Sequence, residues 1–285
     1  MAKASGIIPN TEDTTVDSIL QGAVVDIYRK YGDTVRIDGE SYTAFGKGSI
    51  TTAASATTEF PLNDSFRIFG EPSIAAGNAF SSISSSSNGD TSPDNVEYEG
   101  VRLVNDKIVR FKDTATLAGQ TKTALPTDAF RIYRAKFSPT SNTLSVGDIY
   151  LYKSSAPVTA GVPVADIYMA ITIPNSSLGN DAGTSFKCAV STPSDEYFVI
   201  TGINVINEDA TATVRHTWML SQTSMRTFAR TNLLYGTLNG YQTYDRQLTP
   251  PLIVPPEHDI SIYVTAASAN PAVTASFSGY WAKLV

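Results

Sequence analysis

Two runs decide the fold class: Tyr197-Phe198-Val199-Ile200-Thr201-Gly202-Ile203-Asn204-Val205-Ile206 and, after a short Asn207-Glu208-Asp209 turn, Ala210-Thr211-Ala212-Thr213-Val214-Arg215-His216-Thr217-Trp218-Met219-Leu220. In the second, Ala212, Val214, His216, Trp218 and Leu220 share one face of an extended chain, and Thr211, Thr213, Arg215 and Thr217 share the other. That is the period of a half-buried strand. In the first, Tyr197, Val199, Thr201, Ile203 and Val205 alternate with Phe198, Ile200, Gly202, Asn204 and Ile206. Downstream, Ile260, Ile262 and Val264 are expected to pair with Val273, Ala275, Phe277 and Trp281 across a polar connection at 267–271.

Upstream the same period predicts strands within 65–69, 96–104, 108–112, 130–137, 148–153, 165–173 and 186–190. Val35-Arg36-Ile37, Asp38-Gly39 and Ser41-Tyr42-Thr43 read as a tight hairpin, because Asp-Gly accepts positive φ angles. Many short strands with regular turn signals predict a mainly β chain of antiparallel β-sandwich or jelly-roll units. One N-terminal helix is the exception. Val16, Ile19, Leu20, Ala23, Val24, Ile27, Tyr28 and Tyr31 follow a 3.6-residue period, with Thr15 as N-cap and Gly32 as C-cap. Gly22 weakens that pattern, and residues 24–28 are rich enough in β-formers to be a strand instead.

The expected organisation is an arm and helix at 1–33, a β-rich domain at 34–183 and a C-terminal sandwich at 184–285. Residues 81–93 are so rich in serine that they read as a flexible loop, and 174–184 as a boundary. Asp64-Ser65-Phe66-Arg67-Ile68-Phe69 is echoed by Asp128-Ala129-Phe130-Arg131-Ile132-Tyr133, which fits either a duplicated β-unit or chance among Thr-rich strands.

Composition narrows the function. Hydrophobic residues make up 42% of the 285, enough for one large or two ordinary cores, so the chain should fold. A single cysteine, Cys188, closes no internal disulfide, and with His216 and His258 as the two histidines no Cys/His zinc cage can form. Twenty-one basic against 27 acidic residues leave a net charge of −6, which removes the driving force for direct nucleic-acid binding. No window approaches the roughly 18 apolar residues of a membrane span, and the N-terminus shows no secretory signal. Abundant Ser and Thr beside scarce charge suit exposed sheet faces.

No catalytic constellation assembles, and no metal or cofactor is expected. His216 lies on the core face of its strand. Glu257-His258-Asp259 places neighbours on opposite sides of an extended chain, where they cannot converge on one ion. Gly46-Lys47-Gly48-Ser49 lacks the spacing and flanks of a phosphate loop and reads as a turn. Asp195-Glu196 and Glu208-Asp209 fall at turns as solvated charges, and Cys188 reads as a small buried hydrophobe. Phe66, Phe69, Phe130, Tyr133, Tyr150, Tyr152 and Tyr168 read as core, whereas Tyr235, Tyr241 and Tyr244, in a looser Gly-rich stretch, are candidates for an exposed contact surface. Ile7, Ile8 and Pro9 are the sticky point of an extended arm at 1–15, which is either frayed or able to add a strand to a neighbour's sheet.

Residues 95–285 resemble a family of virion structural proteins of marine tailed bacteriophages. The likeness rests on Thr114-Ala115-Thr116-Leu117-Ala118-Gly119-Gln120-Thr121, Phe130-Arg131-Ile132-Tyr133-Arg134-Ala135, Gly147-Asp148-Ile149-Tyr150-Leu151-Tyr152 and Pro251-Leu252-Ile253-Val254-Pro255-Pro256-Glu257-His258-Asp259-Ile260. The resemblance implies a β-rich, non-enzymatic accessory of the particle: a capsid decoration (cement) protein or an appendage. It also implies a virion location, a homo-oligomer with a trimer as first expectation, and the major capsid protein or another virion protein as partner. A receptor- or carbohydrate-binding module on a head or tail fibre is the alternative, and a hydrolase a distant third.

Overall fold

The computed structural model describes residues 14–49, 59–61, 79–138, 145–164, 167–171, 184–186, 188–208, 215–227, 229–266 and 272–285. Among them one helix, α1 (Thr14–Tyr31), precedes the strands. These are β1 (Val35–Ser49), β2 (Glu59–Pro61), β3 (Phe80–Ser85), β4 (Thr91–Val104), β5 (Lys107–Ala118), β6 (Thr123–Ala129) and β7 (Arg131–Ser138). Next come β8 (Ile149–Lys153), β9 (Val158–Thr159), β10 (Val162–Pro163), β11 (Ile167–Ile171), β12 (Thr184–Phe186) and β13 (Ala189–Ser191). The last six are β14 (Glu196–Asn207), β15 (Arg215–Ser224), β16 (Arg230–Asn239), β17 (Thr243–Val254), β18 (His258–Ala266) and β19 (Ala272–Leu284). The chain is mainly β and antiparallel, as its period-two patterning predicts. The described residues fall into two compact units: a terminal unit of residues 14–45 and Ser49 with Thr192–Val285, and a middle unit of Gly46–Gly48 with residues within Glu59–Ser191. α1 and β1, read from sequence as an arm and the start of a middle domain, thus fold with the C-terminal strands.

In the terminal unit one sheet runs β1-β19-β14-β17 and the second places β15 between β18 and β16. α1 covers the first sheet. Leu20, Ala23 and Ile27 line one stripe of the helix and bury against Val35, Ile37, Tyr197, Val199 and Ala282. Tyr28, expected on that stripe, is 62% exposed because it lies about 100° round the helix from Ile27. The helix begins at Thr14, so Thr15 is a first-turn residue, not the cap. Gly32 ends it at φ 78°, donating its N–H to the Tyr28 carbonyl at 2.9 Å, the left-handed terminus for which glycine is suited.

The opposite face of the same sheet carries Phe198, Ile200, Ile203 and Val205, set against Trp281, Gly279, Phe277 and Ala275. A register shift between Ile200 and Gly202 inserts one residue, so the alternation changes parity there. Tyr197 and Val199 therefore face the helix, and do not share a face with Ile203 and Val205 as strict alternation predicts. Phe198 meets Trp281 and Phe277 at ring separations of 4.8 and 6.2 Å, with Tyr42 at 6.4 Å from Phe198.

Three further expectations are corrected. Asp38-Gly39 and Gly46-Lys47-Gly48-Ser49 are not turns but parts of one strand, Val35–Ser49, beside the 13-residue β19, whose ladder imposes extended backbone. β18 and β19 do not form a hairpin: β18 pairs with β15 and β19 with β14, in different sheets. Glu196 is no solvated turn charge but the buried first residue of β14.

The middle unit has two four-stranded sheets, β11-β8-β3-β6 and β12-β7-β4-β5. Phe80, Ile83, Val96, Tyr98, Leu117, Ile132, Phe137, Ile149 and Leu151 form its core. Tyr150, Tyr152 and Ala170 form a second cluster with Val158 and Val162 of the β9–β10 hairpin. The order repeats between units. If the six consecutive strands β3–β8 and β14–β19 are each numbered one to six, both sets read 6-1-4 in one sheet and 5-2-3 in the other. The repeated order links β3–β8 to β14–β19; the first of the two Asp-led strings, like the strand expected at 65–69, lies outside the described residues.

The serine-rich segment is the largest departure from expectation. Residues 80–85 are a central strand with Ile83, Ser84 and Ser85 fully buried, and Thr91 already begins β4. Serine is short enough to pack between strands when its hydroxyl finds an acceptor. Ser84 Oγ donates to the Gly161 carbonyl at 2.8 Å and lies 2.9 Å from Tyr152 Oη. Gly161 has φ 78°, and a Cβ there would meet the Ser85 carbonyl oxygen at 1.7 Å.

Candidate functional site

Of the residues expected on a contact surface, Ile7, Ile8 and Pro9 lie outside the described residues. Tyr235 on β16 and Tyr241 after it are 79% and 71% exposed. Tyr244 does not join them. It is half-buried, and its ring stacks tilted on the fully buried Trp218 at 4.8 Å. Tyr244 on β17 and Trp218 on β15 come from different sheets, so this pair closes the terminal sandwich. Tyr235 heads a row across the second sheet, opposite Met219, which stands opposite Tyr263. Arg230 lies over the Tyr263 ring at 4.0 Å.

The residues that raise the question of catalysis hold turns together. Glu257, at φ 59° in the β17–β18 turn, takes two bonds from Arg226, Nε to Oε2 at 2.7 Å and Nη2 to Oε1 at 2.8 Å, and one from Ser194 Oγ at 2.6 Å. The Arg226 fork holds the carboxyl below its ordinary value against the opposing effect of burial, and Ser194 assists. His258 Nδ1 lies 2.8 Å from the Pro256 carbonyl, and its main-chain N–H donates to Thr192 Oγ1 at 2.8 Å. Asp259 is buried on the next position. β15 sets His216 two residues before Trp218, and the His216 side chain is outside the described residues. Among the described residues no group of three or more His, Cys, Asp or Glu is placed to hold a metal ion. Cys188, Phe130, Tyr133, Tyr150 and Tyr152 are buried, while Phe66, Phe69 and the Tyr168 side chain are outside the described residues.

Two arrangements escaped the sequence reading. Asp90, 1% exposed, ties three loops at one end of the middle unit. Its carboxylate accepts from Ser85 Oγ at 2.5 Å, Val146 N at 2.7 Å and Gly147 N at 2.9 Å, while its main-chain carbonyl accepts from Gly119 N at 2.7 Å. Ser86 Oγ accepts from Asp148 N at 2.9 Å across the same loops. No local pattern marks Asp90, since its donors lie five, 56 and 57 residues away.

The second is a cavity of about 220 Å³ lined by Glu97, Tyr98, Glu99, Lys112, Arg134 and Lys136. Glu97 and Glu99 alternate along β4, and Arg134 and Lys136 along the neighbouring β7, so the period-two spacing was a usable signal. Lys112 Nζ is 3.6 Å from Glu97 and Arg134 Nη1 3.8 Å from Glu99, long pairs at the surface that contribute little to stability. Beneath them Tyr98 Oη donates to the Thr127 carbonyl at 2.9 Å and accepts from Thr127 N at 3.0 Å. Burial pushes the Tyr98 phenol up to about 12, so it stays a neutral strut.

No protein-family model matches the chain, and no curated protein matches it. Among solved structures it has a likeness to infectious bursal virus derived T=1 particles, at 10% identity and a TM-score of 0.26, covering 88% of this chain and 71% of that one. A second is the infectious bursal disease virus VP2 subviral particle, at 10% identity and a TM-score of 0.20, covering 88% and 73%. At these values the likeness assigns neither fold nor function.

Proposed function

We propose that the chain is a non-enzymatic structural component of a virus particle, a decoration (cement) protein that sits on the outer head lattice as a homo-oligomer against the major capsid protein. The observation that carries this reading is the repeated strand order. The same 6-1-4 and 5-2-3 order in both units supports reading each as a double-sheet jelly roll, an architecture used by viral capsid and lectin domains. That is fold-level support, since one fold hosts many functions. The chemistry agrees with it. Glu257 and Asp90 are held by donors that join turns, which gives rigidity and shape. The strings that resemble phage virion proteins fall on strands and the turns beside them: 114–121 on β5 and the turn after it, 130–135 at the start of β7, 147–152 on β8 and the turn before it, and 251–260 on β17–β18.

A net charge of −6 favours the outside of a particle over its nucleic acid, and no helix among the described residues is long and apolar enough to cross a membrane. Repeated weak contacts on a shared lattice supply avidity. The trimer is the form expected from the resemblance. Mass spectrometry of purified virions tests the reading through copy number: hundreds per particle are expected, and absence from the particle refutes it. The exposure of Tyr235 and Tyr241 favours one second reading, a receptor- or carbohydrate-binding appendage with a copy number of tens or fewer. It requires saccharide binding that Tyr235→Ala or Tyr241→Ala abolishes, and a blank glycan array removes it.

A further inference from the structure

We propose that the outer face of the β18-β15-β16 sheet binds a pyranose sugar, with Tyr235 as the stacking platform and Asn232, Arg230 and Ser261 as the hydroxyl contacts. This deepens the receptor- or carbohydrate-binding reading and rests on it. A bulge builds the site. β15 pairs Met219 with Tyr235 and Ser221 with Asn232, and the register shifts between Leu220 and Ser221, so that Leu233 stands without a partner in the ladder. Met219 and Ser221 share one face of β15, so the extra residue brings Tyr235 and Asn232, three apart in sequence, to that face. Strict alternation would set them on opposite sides. The other face carries Trp218 and Leu220 into the core.

On β18 the same face continues with Tyr263 opposite Met219 and Ser261 opposite Ser221. An aromatic row, Tyr235-Met219-Tyr263, thus lies beside a polar row, Asn232-Ser221-Ser261, and the polar row has hydrogen-bonding capacity left over. Ser221 Oγ donates to Asn232 Oδ1 at 2.7 Å, while Asn232 Nδ2 meets the Met219 sulfur at 3.7 Å, a weak acceptor. Ser261 is 2% exposed, and its hydroxyl has no hydrogen-bond partner among the described residues. A buried hydroxyl left so is costly, and a ligand is one thing that satisfies it. Arg230 spans both rows: its Nη2 is 3.4 Å from Ser221 Oγ and its guanidinium lies 4.0 Å from the centre of the Tyr263 ring. Ser221 and Tyr263 flank Ser261. The Arg230 side chain is exposed, where a cation–π contact is weak, so it is free to turn toward a ligand and uncover the hydroxyl.

The groups on this face select the occupant. Tyr235, 79% exposed, offers a rigid flat ring, and the polar row begins one two-residue step of strand away, about 7 Å. An oxyanion calls for donors alone and an ammonium group for acceptors alone, whereas the Asn232 amide and the Arg230 guanidinium donate and the Ser261 hydroxyl does both. A wholly apolar ligand would strip water from Asn232 and Arg230 and return no bond. A sugar hydroxyl donates and accepts, and a pyranose ring carries such groups on its rim and C–H bonds on its face, which matches an aromatic ring set beside a mixed polar row.

A glycan array probed with the purified full chain is expected to identify at least one pyranose-terminated glycan, and saturation-transfer NMR with the methyl pyranoside of its terminal sugar to give strongest transfer at the ring C–H protons. Tyr235→Ala and Asn232→Ala are each expected to raise the dissociation constant of that pyranoside by about tenfold or more. Tyr241→Ala, past the end of β16, is expected to leave it within about twofold. Ser261→Ala is expected to weaken binding while the thermal melt stays or rises, because the change removes an unpaired buried hydroxyl. A lowered melt with wild-type affinity in Ser261→Ala, or wild-type affinity in both Tyr235→Ala and Asn232→Ala, would overturn the proposal. If Tyr241→Ala alone abolishes binding, this site falls and the receptor reading stands; a blank array removes both.

Discussion

Replacing Asp90 with alanine should loosen the middle unit more than any other single change in its loops. The carboxylate is buried and holds Ser85 Oγ, Val146 N and Gly147 N at 2.5, 2.7 and 2.9 Å. In Asp90→Ala, the Gly147 N–H is left in a buried site without an acceptor, at a cost of about 2 kcal/mol. Val146 N–H is part-buried and can turn to water, and the Ser85 hydroxyl can rotate, so each lost bond costs about 1 kcal/mol. The sum is about 3–5 kcal/mol, reduced somewhat because a buried charge is removed with it. Asp90→Asn keeps one acceptor oxygen and should cost about 1–2 kcal/mol. Ser87→Ala loses only an exposed bond from Gly89 N and should cost under about 0.5 kcal/mol.

Both tryptophans, Trp218 and Trp281, lie in the terminal unit, so their emission does not report on this change. Urea titration followed by hydrogen exchange of peptides spanning residues 80–153 does. If Asp90→Ala unfolds within about 1 kcal/mol of the wild type, the three loops are held by packing and the reasoning fails.

Two further changes test the terminal unit. A Cβ at Gly236 would meet the Trp218 indole at 2.7–2.8 Å, and that ring is fully buried, so Gly236→Ala should destabilise by about 1–3 kcal/mol and shift tryptophan emission; a wild-type melt and spectrum would show that the sheets yield. The Glu257 carboxyl is held below its ordinary value of 4.5 by Arg226, so it adds stability above pH 4.5 that is lost as pH falls through the lowered folded value. Glu257→Gln should therefore lower stability at neutral pH and flatten the acid limb of a stability–pH curve, and an unchanged acid limb in the variant would rule out this linkage.

The candidate surface was legible only where local exposure decides it. Tyr235 and Tyr241 follow from a loose Gly-rich stretch, whereas Tyr244, three residues on, is claimed by Trp218 of another sheet. The Asp90 knot was invisible because its partners meet through loop closure and not through spacing.

Residue order alone determined the β class, the amphipathic helix with its glycine terminus and most strand positions, because these depend on side-chain period and on backbone preferences within a few residues. Pairing partners, sheet membership and face parity were decided by tertiary structure. One inserted residue between Ile200 and Gly202 exchanges the faces of β14, and the ladder with β19 selects where that insertion is tolerated. Likewise β18 and β19 separate into different sheets, and the serine run becomes a central strand, since buried hydroxyls are acceptable once Gly161, Tyr152 and Asp90 stand opposite them. Those partners are distant in the chain, and only the folded core brings them within hydrogen-bond reach.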